Sequence, residues 1–539
     1  MNALNDSPTK NSEDSSKAVA RVQQLARREL AKRNPNDPLV WAEAFRTLHG
    51  RPFVVPPPLR DIYREPHPFT VVQKPAQVGV TEMMMNFALW AASTQQGGRG
   101  NVLHLMPTQQ NVERLSQGRL AAAIAESPAL RRLASRARDG QPTAQRALMR
   151  TIGPGTIYLS GSDQASQYTG IDADLVILDE FDLMKDEVLS QAIPRLRSSH
   201  LNRLWVASTP TIPEFGVNAL LGLSDERHYE LQCPSCRAWV DPQYPENVDF
   251  ERGVVVCHCG GALDPYRPGR WVPMRPEVKD IRGYQLNRLV FPLPRINDMR
   301  LAASGNVGMN QEQFWRQDLG MPFVAADSRL SAADLDFCQA GEPSPDQVEN
   351  ADSVVMGIDV GQNCFWIVIR VFLKQYSYPI FVERFTGGWE DVDELCRRFR
   401  VRYCVVDAQP DTRGARAFHR RMARRGRTNV FLAYYRQQGA HHEFVWGRDA
   451  HVSAVRTLSL DETFGSFRAR RSTLPANARE LAGGAYYEHM QALVRTTAPD
   501  DFGQPIPAYR HTRPDDFAHA ENYITLIATR FGRYSMWWD

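Results

Sequence analysis

The sequence predicts two successive α/β domains, the first carrying a small cysteine-bearing insertion. Three observations lead there. Between residues 70 and 210 short apolar runs alternate with helix-like runs, the pattern of a doubly wound sheet with helices on both faces. Residues 228–275 interrupt that alternation with four cysteines and many turn-forming residues. From Val354 the alternation resumes and continues to the C-terminus. The length agrees, since 539 residues exceed one ordinary domain and fit two or three.

Composition limits the function classes. A hydrophobic fraction of 43% is enough for ordinary buried cores. The net charge of +3, from 64 basic and 61 acidic residues, neither demands nor excludes nucleic acid. The basic residues cluster at Arg397–Arg402, Arg413–Arg427 and Arg468–Arg471. Any one such cluster reads equally as a solvated helix face; three in one half of the chain point towards a phosphate-facing surface. Met1–Ser16 is polar without an apolar centre, so no secretory signal is expected. No apolar run approaches the roughly 20 residues a bilayer crossing needs. The expectation is a soluble, cytoplasmic chain. Eight cysteines in this length do not make a disulfide scaffold.

In chain order, Met1–Ser16 is too polar to bury a core. Lys17–Arg33 has a basic helical pattern, either a solvated helix or a docking arm. A Pro-rich stretch, Pro52–Pro68, leads into a strand starting at Thr70–Val72. Further strands are expected at Val102–Met106, Thr156–Ser160, Leu175–Leu178 and Leu204–Ala207, with a helix over Val112–Ile124. The continuous apolar runs among them suit buried parallel strands.

Lys74-Pro-Ala-Gln-Val-Gly79-Val80-Thr81 lies between the first strand and a helix-like run, Glu82–Ala92. That context fits a phosphate-binding loop, in which N–H groups at a helix N-terminus face phosphates and a hydroxyl reaches magnesium. The match is imperfect: Lys74 stands where the first glycine belongs and Val80 where the lysine belongs. The chemistry survives if Lys74 reaches the phosphates from the other end of the loop. About 100 residues further on, Leu175-Val-Ile-Leu-Asp179-Glu180 is an apolar strand ending in two acids, one suited to ordering magnesium and one to polarising the attacking water. A third strand ends in Ser208-Thr209-Pro210, hydroxyl residues placed to couple hydrolysis to movement. Three strand ends then meet at the carboxyl edge of one sheet, where such folds bind ligands. Lys74, Gly79, Thr81 and Asp179 are the expected ATP-binding residues, with Glu180 catalytic.

Cys233-x-x-Cys236 has zinc-knuckle spacing, whereas Cys257-x-Cys259 is one residue short of it. His258 is an alternative ligand. A structural Zn²⁺ ribbon is expected, the rival reading being a degenerate ribbon that folds without metal. Cys338, Cys364, Cys396 and Cys404 read as buried packing residues.

The second domain opens with a strand ending in Asp359, followed by strands over Phe365–Phe372 and Tyr378–Phe385. A helix over Trp389–Phe399 and a strand ending in Asp407 come next, and Asp515-Asp516 stands at the start of a late helix. That order is the order of a ribonuclease H-like nuclease. Two Mg²⁺ or Mn²⁺ ions about 4 Å apart need several bridging carboxylates. Singly, Asp359 reads as a strand-end turn residue and Asp515 as a helix N-cap; as an ordered trio Asp359, Asp407 and Asp515 point to a nuclease. The sequence does not separate Asp515 from Asp516.

The Lys-first loop, the Leu-Asp-Glu strand and the Ser-Thr-Pro strand end resemble the large terminase subunit of tailed phages, most closely its lambda-like group. Leu105-Met-Pro-Thr108, Arg119, Leu159-Ser-Gly-Ser162, Phe314-Trp315, Leu319-Gly-Met-Pro322 and Ala454–Asp461 also look like segments of that family, and the likeness runs over roughly residues 50–530. The resemblance implies that Lys74 does the work of the usual lysine, that Asp179 and Glu180 form the Walker B pair, and that Ser208 and Thr209 form the coupling motif. It matches Asp359, Asp407 and Asp515 to the nuclease acids and leaves roles open for His519, Arg456 and Asp461. It implies ATP-driven packaging of double-stranded DNA into a procapsid in the host cytoplasm, and cutting of concatemers. It further implies a ring of copies on a portal protein and a small terminase subunit as partner. Lys17–Arg33 and the tail Met536-Trp-Trp-Asp539 are candidate contacts for that subunit and for the portal. The rival is a helicase or repair ATPase fused to a nuclease, but residues 276–350 are too short for the second motor domain it needs.

The expected boundaries are an arm over 1–45, a P-loop ATPase core over 46–227 and a zinc-ribbon-like insertion over 228–275. The remainder of the motor half follows over 276–342, then a linker over 343–352 and a ribonuclease H-like domain with tail over 353–539.

Overall fold

The computed structural model describes residues 25–530 apart from 28, 32, 96–97, 136–144, 147, 293–295, 304–310, 326–327, 352, 375, 437–443, 448–449 and 500–504. Met1–Ser16, the first part of the basic arm and the tail Met536–Asp539 lie outside the described residues. The chain divides into two compact units, 1–323 and 324–539.

The first unit is built on an eleven-stranded sheet. Its centre contains β1 (Phe69–Gln73), β2 (Asn101–Met106), β3 (Gly155–Gly161), β4 (Leu175–Asp179) and β5 (Arg203–Ser208). These lie parallel in the order β1-β5-β4-β2-β3. β4 is buried at all five positions, as its unbroken apolar run requires. Between β1 and β2 runs α1 (Val80–Thr94), whose Phe87 and Trp90 are buried against the sheet with Trp205 of β5. Each observed strand contains the expected one and extends it by one or two residues.

The helix expected over Val112–Ile124 is present with a difference. It starts at Gln109–Glu113, widens into a π-helical turn over Arg114–Leu120 and returns to α-helix over Ala121–Glu126. Such bulges often occur at functional sites, and Arg119 sits in this one.

In the second unit a seven-stranded sheet carries β6 (Ser353–Val360), β7 (Phe365–Phe372), β8 (Ser377–Phe385), β9 (Tyr403–Asp407) and β10 (Asn429–Arg436). β8, β7 and β6 are antiparallel neighbours, and β6, β9 and β10 run parallel. The helices α2 (Trp389–Arg398) and α3 (Thr412–Arg425) lead into and out of β9. The last helix, α4 (Asp516–Arg530), lies across β6, where a Cβ on Gly357 would come within 2.0 Å of the Ala520 carbonyl oxygen. Only glycine permits that approach. A buried ion pair fastens α4 at the next residue: Arg370 Nε and Nη2 donate to Glu521 at 2.7 and 2.9 Å, and the Tyr486 hydroxyl donates to the same carboxylate at 2.6 Å.

The unit boundary differs from the expected linker over 343–352. Leu330, Leu335 and Cys338 belong to the core of the second unit, so residues 324–342 go with it rather than with the motor half. Within the expected linker, Pro345–Glu349 forms a helical turn with Ser344 and Gln347 as capping box.

Candidate functional sites

A cavity of about 640 Å³ opens at the carboxyl edge of the first sheet, lined in part by Lys74, Gly79, Thr81, Glu180 and Thr209. That volume suits a nucleotide. The loop between β1 and α1 is shaped by two left-handed residues, Gln77 (φ 58°) and Gly79 (φ 88°), and its helix presents its N-terminus to the cavity as anion sites do. A second segment braces the loop: the Ala76 N–H donates to the Gln317 carbonyl at 2.8 Å, and Gln73 Nε2 donates to the Gly320 carbonyl at 2.8 Å. These partners belong to the segment Phe314–Pro322, distant in sequence.

Lys74 is buried and its ammonium donates to Glu180 Oε1 at 2.8 Å. Burial pulls the Lys74 pKa down, but Glu180 and Asp179 outweigh it, so the group stays above its ordinary value and charged. Asp179 is fully buried, and neither of its oxygens has a hydrogen-bond partner among the described residues. Burial, with the neighbouring Glu180, raises it to about 6 against the opposing Lys74 and Thr81. A buried carboxylate without donors beside a threonine hydroxyl suits a hard cation. Glu180 has a left-handed backbone (φ 60°), which turns its side chain away from the strand direction. His104 lies 4.0 Å from Asp179, and burial lowers its pKa to about 4, so it is neutral.

The structure brings Ser208 and Thr209, expected from the sequence to couple hydrolysis to movement, to the same edge. The Lys74 N–H donates to the Ser208 carbonyl at 3.0 Å, and Ser208 Oγ accepts from the Asp182 N–H at 3.1 Å. Asp182 was not singled out in the sequence. It is buried, and its carboxylate accepts from Thr211 N–H (2.7 Å), Thr211 Oγ1 (2.8 Å) and Val217 N–H (2.8 Å). Burial lifts it to about 6 despite these donors. It ties the turn after Glu180 to the loop after Ser208. Arg46, Leu48, His49 and Arg119 also line the cavity, and the Arg119 charge acts on Lys74. Arg46 carries no motif; its guanidinium donates to Glu82 (2.8 Å) and it is fully buried.

The ribbon cysteines converge. Cys233, Cys236, Cys257 and Cys259 place their sulfurs within 4.8 Å of one another, the one group of possible metal ligands packed this tightly among the described residues. Cys233–Cys259 and Cys236–Cys257 are 3.7 and 3.6 Å apart, near the ~3.8 Å that tetrahedral Zn–S bonds of about 2.3 Å impose. The Cys236 N–H, with that of Ser235, lowers the Cys233 thiol to about 6, favouring the thiolate a metal needs. The short Cys257-x-Cys259 pair closes because Gly260 takes a left-handed turn (φ 80°). With four sulfurs together, exposed His258 is not required as a ligand. Cys338, Cys396 and Cys404 are buried as expected, whereas Cys364 is only half-buried.

In the second unit β6 and β9 pair with Ile358 opposite Val406, which sets Asp359 and Asp407 level at the same sheet edge. Asp359 is raised well above the ordinary carboxylate value by burial and by Asp407, Asp516 and Asp515. Asp407 is raised by burial, while its Oδ1 accepts from the Gln409 N–H at 3.0 Å. The Tyr523 hydroxyl, on the helix that starts at Asp516, acts on both carboxylates and partly offsets these shifts. Asp515 occupies the N-cap position, since its carbonyl accepts from Ala518 and His519 N–H; its side chain nevertheless faces functional neighbours. His519 Nε2 lies 3.3 Å and Arg456 Nη2 3.5 Å from Asp515 Oδ2. Burial would raise Asp515, but His519, His511 and Arg456 hold it below its ordinary value. Asp516 lies 3.3 Å from His489. His519 also meets the Tyr435 hydroxyl at 2.7 Å, so the residue standing where an acid was in question positions Asp515. Asp461 binds Arg495 and Tyr509 instead, remote from this role.

The first unit places a lysine at the front of a loop between a parallel strand and a helix, against an acid from a neighbouring strand end. Residues 58–269 match the family model of the phage terminase large subunit gpA, ATPase domain. No curated protein sequence matches the chain. Among solved structures it is similar to the large terminase of the thermophilic bacteriophage D6E, at 13% identity over 86% of this chain and 94% of that one with a TM-score of 0.31. It is also similar to the large terminase ATPase domain of Thermus phage P74-26, at 14% identity over 51% and 94% with a TM-score of 0.32. The magnesium-bound large terminase nuclease of thermophilic phage G20c is 12% identical over 37% and 98%, with a TM-score of 0.26. No described helix is long and apolar enough to cross a membrane.

Proposed function

We propose that the chain is a phage DNA-packaging motor that hydrolyses ATP to drive double-stranded DNA into a procapsid and cuts concatemeric DNA with its second unit. The observation that carries this reading is the convergence of Lys74, Thr81 and Glu180 on a nucleotide-sized cavity, with Asp179 buried close enough to act on Lys74, inside the segment that matches the terminase model. Lys74 reaches the phosphates from the front of the loop, with the α1 N-terminus behind them. Thr81 and Asp179 would hold Mg²⁺, which supplies charge neutralisation to the phosphates. Without nucleotide, Lys74 neutralises Glu180; a phosphate competing for Lys74 releases Glu180 to orient the attacking water. Arg119 is positioned to meet the phosphates from the π-helical turn. Ser208, Thr209 and Asp182 carry the change to the neighbouring loops.

In the second unit Asp359, Asp407 and Asp515, with Asp516 beside them, would hold Mg²⁺ or Mn²⁺, which would activate water and stabilise the leaving oxygen. The raising of Asp359 by its three acidic neighbours fits a site meant for cations. The four cysteines would hold a structural Zn²⁺ through their four sulfurs. A small terminase subunit, a portal protein and further copies in a ring are the partners this role requires, in the host cytoplasm.

ATP turnover and DNA cleavage, measured side by side on wild type, Glu180→Ala and Asp359→Ala, test this reading. Loss of ATP turnover alone in the first variant and of cleavage alone in the second is expected. Indifference of both activities to both changes refutes the assignment.

A further inference from the structure

α3 is an unusual helix for an isolated surface. Over Thr412–Arg425 its buried residues are Ala415, Phe418 and Met422, which face the sheet. Arg413, Arg416, Arg420 and Arg424 are all exposed. At about 100° per residue these four fall within a stripe roughly 80° wide, almost diametrically opposite the buried face. No ion pair to any of the four exists among the described residues, although Arg421 and Arg425 on the flank of the same helix are both held by Asp393. The acid nearest in sequence, Asp411, is engaged as the N-cap, accepting from Gly414 N–H and Trp389 Nε1 at 2.9 Å each.

The stripe costs helix stability. Arg416/Arg420 and Arg420/Arg424 are like-charged pairs four apart, each unfavourable by about 0.2–0.5 kcal/mol. Arg413 places a cation in the first turn, against the helix dipole. Arg424, in the last turn, is favoured by the dipole; the other three gain nothing from the helix, so their charge is available to a partner. From Arg413 to Arg424 the stripe spans about 16 Å, a length over which duplex DNA presents roughly ten phosphates.

Its placement says which partner. α3 begins five residues after Asp407, directly beyond the sheet edge that carries the acids. The stripe therefore starts six residues after Asp407 and runs on from the strand end that carries it. We propose that Arg413, Arg416, Arg420 and Arg424 form a phosphate-contacting track that lays the backbone of double-stranded DNA along α3 and delivers it to the Asp359–Asp407–Asp515 cluster. The proposal rests on the nuclease reading of that cluster. The contact is to backbone and carries no base preference.

The test uses the full chain and a 30-base-pair duplex without a chosen sequence. Binding is followed by fluorescence anisotropy against salt in the presence of EDTA, and cutting is followed in Mn²⁺. Replacing all four arginines by glutamine should lower the slope of log K against log [salt] by about three to four, at roughly 0.9 per lost phosphate contact. Cutting should fall at least tenfold at limiting DNA, mainly through KM. DNA-independent ATP turnover should not change, and the melting temperature should hold or rise as the like-charge pairs disappear. The four-lysine variant should keep the salt slope. An unchanged slope and KM in the glutamine variant, while wild type cuts, overturns the track and leaves the nuclease reading standing. An unchanged slope accompanied by altered oligomeric state also overturns it and assigns the stripe to a protein contact. Failure of wild type itself to cut in Mn²⁺ refutes the nuclease reading, and the delivery role with it.

Discussion

Asp179 in the first unit and Asp359 in the second are both strand-end acids raised by burial and by neighbouring carboxylates, yet Asp179 is also opposed by the cation of Lys74. Asp179 and Glu180 face the buried ammonium of Lys74, which stands 2.8 Å from Glu180. The groups acting most strongly on Asp359 after burial are three further carboxylates, Asp407, Asp516 and Asp515. The first site carries its own counter-charge and can rest stably before a nucleotide arrives. At the second, like charge accumulates around Asp359, and the chain's own cations, Arg456 and His519, lie against Asp515 instead. A strand-end acid is thus not one kind of residue; what surrounds it decides whether it is partnered within the chain or waits for a ligand.

The sharpest break of that contrast is Asp359→Asn. Cutting in Mn²⁺ should fall by about 10³-fold or more, equal to about 4 kcal/mol of barrier. In EDTA the same variant should be more thermostable than wild type near neutral pH. The folded pKa of Asp359 is raised, so its contribution favours folding at low pH and is lost as pH rises through the folded value. Melting curves from pH 4 to 8 should show wild type losing ground to the variant as pH rises, and Mn²⁺ restoring it. Equal profiles would show that the four acids do not share a site.

Glu180→Gln tests the other side. It removes the partner of Lys74 without crowding, and ATP turnover should drop by about 10²–10³-fold, or roughly 3–4 kcal/mol, while cutting persists. Phosphate release under saturating ATP measures it. Turnover within threefold of wild type would detach Glu180 from the chemistry.

His104 gives a smaller effect. Its pKa is held near 4 by burial, so it stabilises the fold above its unfolded value of about 6.5 and loses that contribution as pH falls towards 4, by up to about 3 kcal/mol. The buried Asp179 and Asp182 change stability in the opposite direction over part of this range, since both are raised to about 6. The difference profile between wild type and His104→Gln isolates the histidine. Its stability gap should narrow on acidification; a gap independent of pH would mean that His104 is not buried as a neutral ring.

The ribbon should show the smallest loss. Cys233→Ser should cost about 2 kcal/mol and lower the melting temperature by roughly 4–8 °C, with zinc content by mass spectrometry falling from one per chain. A metal-free wild type of unchanged stability would establish the degenerate ribbon.

The two sites were also unequally legible. Around the nucleotide cavity, loop, acids and hydroxyls sit at strand ends in unbroken apolar runs, so Lys74, Asp179, Glu180 and Ser208 could be read in order. Asp182 and Arg46 escaped, because a buried acid satisfied by loop N–H groups and an arginine clamped to Glu82 leave no periodic trace. In the second unit Asp359 and Asp407 were visible for the same reason. Tyr523, His519 and Arg456 were not assigned roles, since they arrive at the acids from elements far apart in sequence.

Local pattern determined the strands, the helices, the two cysteine pairs and the order of the acids, because apolar periodicity and turn chemistry act over a few residues. Tertiary packing alone decided the rest. It assigned residues 324–342 to the second unit through the burial of Leu330, Leu335 and Cys338. It joined Phe314–Pro322 to the phosphate loop through backbone hydrogen bonds. It seated α4 against Gly357 with the Arg370–Glu521 pair, and so placed Asp515 and Asp516 beside strands more than a hundred residues earlier. Such contacts depend on shape and burial between distant segments, which no local spacing records.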